Sequence, residues 1–119
     1  MGTRTVLTFK DRRESFSVYK HYDGYPEHTL PAIKDAKEFA WDLPRFEAAD
    51  FAAAFIAANK QKGGGNIYFT DSHENHSDLD YRYEITENDK KLFVKVYQVQ
   101  EYDEEARKPI YSLIEEVTI

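Results

Sequence analysis

The sequence predicts an α+β fold: a mainly antiparallel sheet of about six strands, in the order β-β-α-α-β-β-β-β, with two helices packed on one face. Three observations predict it. Segments rich in β-branched and aromatic residues fill both ends of the chain, whereas helical spacing is confined to the middle. The two helical segments are contiguous, so the strand–helix alternation that parallel sheets require is missing. The strand-like segments after them follow one another across short polar turns.

"TRTVLTFK" (3–10) reads as a strand, "DRRE" as a turn and "SFSVYKHY" as the second strand of a hairpin. Phe16 and Val18 fall on one face of that strand, Tyr19 and His21 on the other. After "DGYPEH" the period becomes helical. Thr29 fits an N-cap with Pro31 in the first turn, and Ile33, Ala36, Phe39 and Ala40 mark the buried stripe. Pro44 ends or re-aims this helix, and a second begins near Arg45. On the second, Phe46, Ala49, Ala53, Ile56 and Ala57 form one side, with Phe51, Phe55 and Ala58 beside them. Gly63–Gly65 stop it.

"NIYFTD" is a short strand and "SHENHSD" a polar loop. "LDYRYEIT" alternates, with Leu79, Tyr81, Tyr83 and Ile85 inward and Asp80, Arg82, Glu84 and Thr86 outward. "KLFVKVYQVQEY" and "PIYSLIEEVTI" are the last strands. The former is apolar on both faces, Leu92, Val94 and Val96 against Phe93, Tyr97 and Val99. Two helices cover one face of such a sheet, so the other is capped by loops or buried in an oligomer; a homodimer is the favoured expectation.

With 119 residues, 41% hydrophobic, positions 1–119 read as a single domain that buries a core without disulfides or metal. The chain has no cysteine, which excludes disulfide scaffolds, Cys-based zinc sites and thiol nucleophiles. No signal-length or membrane-length apolar run occurs, so the expected location is the cytoplasm, with no membrane partner. Residues 1–65 carry ten Lys/Arg against nine Asp/Glu, and residues 66–119 carry six against thirteen. The acidic C-terminal half argues against nucleic-acid binding, which needs clustered cations, and suits a partner with a basic surface. The plainer reading is a set of solvated strand edges and turns.

Three constellations could carry chemistry. In "VYKHYDGYPEH" (18–28), His21 and Asp23 could pair as a base with its orienting carboxylate. Tyr19, Tyr22 and Tyr25 could stack on a ligand, with Arg4 or a lysine for its charge. Asp-Gly followed by Pro is equally an ordinary tight turn. "DSHENHSDLD" (71–80) holds His73 and His76 with Asp71, Asp78 and Asp80, but matches no metal motif and reads first as a solvated loop. "KQKGGGN" follows a helix rather than preceding one, so a helix stop suits it better than a phosphate cradle at Lys60 and Lys62. Glu104-Glu105 and Glu115-Glu116 are adjacent pairs, not acid/base dyads, and no nucleophile has a convincing base. No catalytic residue, metal ligand or cofactor is assigned.

Gly2-Thr3-Arg4 together with Tyr19, His21, Tyr22, Asp23, Gly24, Tyr25 and Pro26 resembles a group of small phage and prophage proteins of unknown function. These open with a similar Met-Gly/Ser-Thr-Arg and carry a tyrosine–x–His–aromatic–Asp-Gly-Tyr-Pro element. The resemblance covers about the first quarter of this chain. Members of the group usually have Trp at the position of Tyr22 and a glycine-bearing turn where this chain has His28-Thr29. The resemblance implies a phage accessory gene expressed in bacterial cytoplasm and no particular activity.

The leading functional expectation is a non-enzymatic binding module acting on a host protein, for instance one of defence, through the acidic half and exposed aromatics. The alternative is a protein that sequesters a small molecule such as a nucleotide signal, with ligand-binding residues Arg4, Tyr19, His21, Tyr22, Asp23 and Tyr25. A third is a metal-dependent hydrolase using His21, His73, His76 and nearby aspartates.

Overall fold

The structure is a computed structural model that describes residues 3–22, 24–40, 47–61, 67–73, 76, 79–88, 91–105 and 108–119. Its elements are β1 (Thr5–Lys10), β2 (Ser15–Lys20), α1 (Pro26–Phe39), α2 (Ala48–Gln61), β3 (Ile67–Thr70), β4 (Tyr81–Asn88), β5 (Lys91–Asp103) and β6 (Lys108–Thr118). All six strands join one sheet in the order β3-β2-β1-β4-β5-β6. β1 lies parallel to β4, and every other neighbouring pair is antiparallel. The chain therefore has the α+β fold and mainly antiparallel sheet that the sequence predicts. β1 is central because Thr5 through Phe9 are all buried, so both of its faces are covered.

Strand alternation sorts the core. Leu7, Phe9, Val18, Tyr81, Tyr83, Ile85, Leu92, Val94 and Val96 face the helices and pack with Ile33, Ala36, Phe51 and Phe55. Phe9 lies 5.6 Å, centroid to centroid, from both Phe51 and Phe55, which docks α2 on the middle of the sheet. Leu79 is buried as predicted, but with Val6 and Tyr19 on the opposite face, because the chain bends at Asp80 before β4 begins.

Two helical expectations change. Helix α1 starts with Pro26 as its first residue and Tyr25, in extended conformation, as its N-cap; Thr29, expected there, is a fully buried residue inside the helix. Proline at the first position is preset for helix and loses no bond there. The inward arc then runs through Thr29, Ile33, Ala36 and Ala40, and Phe39, roughly 80° round from it, is exposed. On α2 the buried arc is Ala48, Phe51, Ala52, Ala54, Phe55 and Ala58, while Ala49, Ala53 and Ala57 face solvent. Alanine occurs on every side of this helix, so the bulkier Phe51 and Phe55 decide which side turns inward. The predicted roles of Pro44, Arg45, Phe46 and Gly63–Gly65 fall outside the described residues.

Gly24 fixes the passage from β2 to α1. Its N–H donates to the Thr3 carbonyl at 3.0 Å, and its carbonyl accepts from the Tyr83 hydroxyl. A Cβ at this position would lie 2.6 Å from the Thr3 oxygen. Only glycine lets the backbones approach that closely. Burial pushes the Tyr83 hydroxyl far above the ordinary tyrosine range, although a hydrogen bond with the Thr29 side chain opposes the shift. The hydroxyl therefore serves as a permanent donor.

Asp11 organises the opposite end. One carboxylate oxygen accepts the Arg13 and Glu14 amides at 2.8 Å each, closing the β1–β2 turn, and the other accepts the Ala48 amide at 2.9 Å. The latter amide opens α2, so one carboxylate ties the hairpin to the helix N-terminus. These amides, Ala48's foremost, hold its pKa below the usual aspartate value. A lowered folded pKa contributes stability that is full above the unfolded value and is lost as pH falls through the folded one. Asp11→Ala is expected to cost about 1–2 kcal/mol near neutral pH. In urea denaturation that gap should narrow as pH drops below the usual aspartate range.

The second sheet face, expected to be loop-capped or buried in a homodimer, divides in two. The segment between β3 and β4 covers its Val6 end through His73, His76 and Leu79. The next row across the sheet is polar, with Thr70, Ser17, Thr8, Glu84, Lys95 and Glu116 at successive register positions. Phe93 and Leu113 break that polarity toward β6 and are exposed. No helix among the described residues is long and apolar enough to cross a membrane.

Candidate functional site

One row of side chains crosses all six strands on the face away from the helices: Tyr68, Tyr19, Val6, Arg82, Tyr97 and Leu113. The period-two alternation of each strand puts them there. The row carries two clusters, one aromatic and one charged.

The aromatic cluster centres on Tyr19. Its hydroxyl and His21 Nδ1 share a hydrogen bond of 2.8 Å, and Tyr22 meets the His21 ring edge-on at 4.7 Å. His76 stacks on the Tyr19 ring at 4.4 Å with 12° between planes, held by a 3.0 Å bond between its Nε2 and Thr70 Oγ1. Tyr68 packs 5.1 Å away. The strand and the polar loop that the sequence left separate thus meet across Tyr19. The nearly buried Tyr19 ring already stacks with His76, whereas Tyr22 and Tyr68 are 46% and 49% exposed.

The remaining predicted ligand residues do not converge on this cluster. Arg4 sits at the start of β1, where its amide donates to Asp80 Oδ2 and its carbonyl accepts the Asp80 and Tyr81 amides. Tyr25 caps α1 and packs edge-on at 5.6 Å against Tyr81, on the helix side of the sheet. Asp23 lies outside the described residues, so the proposed His21–Asp23 pair does too; His21 is described with Tyr19 instead. Asp78 and Lys62 likewise fall outside them. Among the described residues no group of three His, Asp or Glu is placed to hold a metal ion. His73 packs edge-on at 5.7 Å against Tyr111.

The charged cluster was not anticipated. Arg82 lies 4.4 Å over the Tyr97 ring and 5.3 Å from the Tyr111 ring centre, between β5 and β6 aromatics. Its Nη1 donates to Glu84 Oε1 at 3.3 Å, and Lys10 donates to the same oxygen at 3.1 Å. The Tyr97 hydroxyl approaches the other Glu84 oxygen at 3.4 Å. Burial alone would raise the Glu84 pKa, but the bond and charge of Lys10, with Arg82, hold it below the ordinary range. Arg82 Nε and the Tyr111 hydroxyl are buried and have no hydrogen-bond partner among the described residues. Burial also pushes the Tyr111 pKa up, against the opposing charge of Arg82. Each such unmet donor costs about 1–3 kcal/mol.

Nothing in the sequence marked this cluster, because an arginine at an outward strand position reads as a solvated side chain. Its burial depends on Tyr111, 29 positions on, arriving through the β5–β6 hairpin. No family model, no curated protein and no solved structure matches the chain.

Proposed function

We propose that the chain is a non-enzymatic binding module of the phage accessory type, acting on a protein of its bacterial host. The observation that carries this reading is the outer strand β6. It pairs with β5 on one side only, leaving a strand edge open to a partner. Along it Ile110, Leu113 and Ile114 are 40%, 48% and 45% exposed, beside the exposed carboxylates of Glu115 and Glu116. An extended segment with apolar and basic residues fits such an edge by strand addition.

The test is retention of a host polypeptide from bacterial lysate by the wild-type chain and by Leu113→Lys/Ile114→Lys. The variant is expected to lose retention at least roughly tenfold, with its melting temperature unchanged. Equal retention by both, or none by either, sinks the reading. A second copy of the chain as the retained species would reassign the edge to a homodimer.

The alternative, sequestration of a nucleotide signal around residues 19–25, draws support from the exposed Tyr22 and Tyr68 rings flanking the His21–Tyr19 pair. The separation of Tyr25 from that pair counts against a single pocket lined by all three.

A further inference from the structure

We propose that Arg82 and Tyr111 form a site for a compact oxyanion, a phosphate or a carboxylate, on the sheet face away from the helices. This goes beyond the protein-binding reading and does not depend on it. The first support is a pair of donors with nothing to donate to: Arg82 Nε and the Tyr111 hydroxyl are both buried without a partner among the described residues. They belong to neighbouring groups, since the Arg82 guanidinium carbon lies 5.3 Å from the Tyr111 ring centre.

Charge is the second support. Lys10 and Arg82 share one carboxylate, Glu84, so the three groups sum to +1 in a chain whose net charge is −6. Both of those cations contact the same Glu84 oxygen, and the carboxylate does not reach Nε. An anion would supply the missing acceptor and the missing charge together. Geometry is the third. The Tyr97 and Tyr111 rings both pack against the guanidinium, with its carbon 4.4 and 5.3 Å from their centres, which restrains its donors before any ligand arrives. Oriented donors in a partly desolvated site bind an oxyanion more strongly than mobile surface cations. His73 packs edge-on against the Tyr111 ring at 5.7 Å and fixes that ring beside Arg82.

An ordered water bridging the two donors is the competing occupant. Nitrogen-15 NMR separates the cases, because a buried arginine Nε–H gives an observable resonance that Arg82→Lys identifies by its loss. The probes are inorganic phosphate and acetate, each titrated against sodium chloride of matched ionic strength. The Arg82 signal is expected to move saturably with at least one of them. Tyr111→Phe should weaken that affinity roughly tenfold, the loss of one hydrogen bond to a charged group. In anion-free buffer Tyr111→Phe should also raise the melting temperature, because it deletes an unmet hydroxyl. The arm that saturates identifies phosphate or carboxylate. No saturable movement beyond the chloride control overturns the site, as does identical binding by Tyr111→Phe. A lowered anion-free melting temperature in Tyr111→Phe would also overturn it, by showing the hydroxyl already satisfied by water.

Discussion

Phe9→Ala is expected to destabilise the protein by about 3–5 kcal/mol, lowering its melting temperature by roughly 10 °C or more. Phe9 is fully buried in β1, and its ring touches both Phe51 and Phe55 of α2. Truncation loses the transfer energy of the ring and opens a cavity between sheet and helix. That cavity collapses poorly, because β1 is hydrogen-bonded on both sides and cannot move toward α2. Phe9→Leu retains most of the volume and should lose less than half as much. Urea denaturation of both variants decides the point; equal and small losses would mean that α2 is docked by other contacts.

Gly24→Ala is the second large effect, expected at about 2–3 kcal/mol, the range of an overpacked core. The added methyl would meet a backbone oxygen, that of Thr3, and a β1 neighbour bonded into the sheet yields less readily than a side chain. Relief would break the Gly24–Thr3 bond, the Tyr83–Gly24 bond, or both. Tyr83→Phe isolates the latter and should cost about 1–3 kcal/mol, leaving the Gly24 carbonyl without that donor. An unaltered stability curve for Gly24→Ala would show that the β2–α1 passage has slack. The glycine of the Asp-Gly-Tyr-Pro element is therefore accounted for by a close backbone crossing.

The parts of the fold that local pattern controls were legible. The alternation through Tyr81, Tyr83 and Ile85 placed those side chains against the helices as predicted. The Phe16/Val18 and Tyr19/His21 faces of β2 came out opposite, as a period of two demands. Helix boundaries were less legible, because threonine is an acceptable cap and proline a better first residue, and the two signals compete within four positions. Alanine gave no direction on α2, since it suits exposed and buried helix positions alike.

The candidate site was half legible. Tyr19 and His21 stood out because their face had no evident core to join, and they do meet His76 from the later loop. Arg82, Glu84 and Lys10 did not stand out. Their proximity comes from the parallel register of β1 and β4, which sets Thr8 beside Glu84 and Val6 beside Arg82. A pairing between distant segments leaves no mark on either one's own pattern.

That same β1–β4 pairing governs when the molecule can fold. Thr5 and its partner Tyr81 are 76 positions apart, so the centre of the sheet cannot close until most of the chain has left the ribosome. The N-terminal hairpin and both helices are made first, and β1 then waits with one edge bare. An unpaired edge on a strand as apolar as Val6, Leu7 and Phe9 make it is a template for wrong partners. β5 and β6 join β4 through local hairpins, so contact order makes the β1–β4 pairing the expected slow step and the one at which a misplaced partner does most harm.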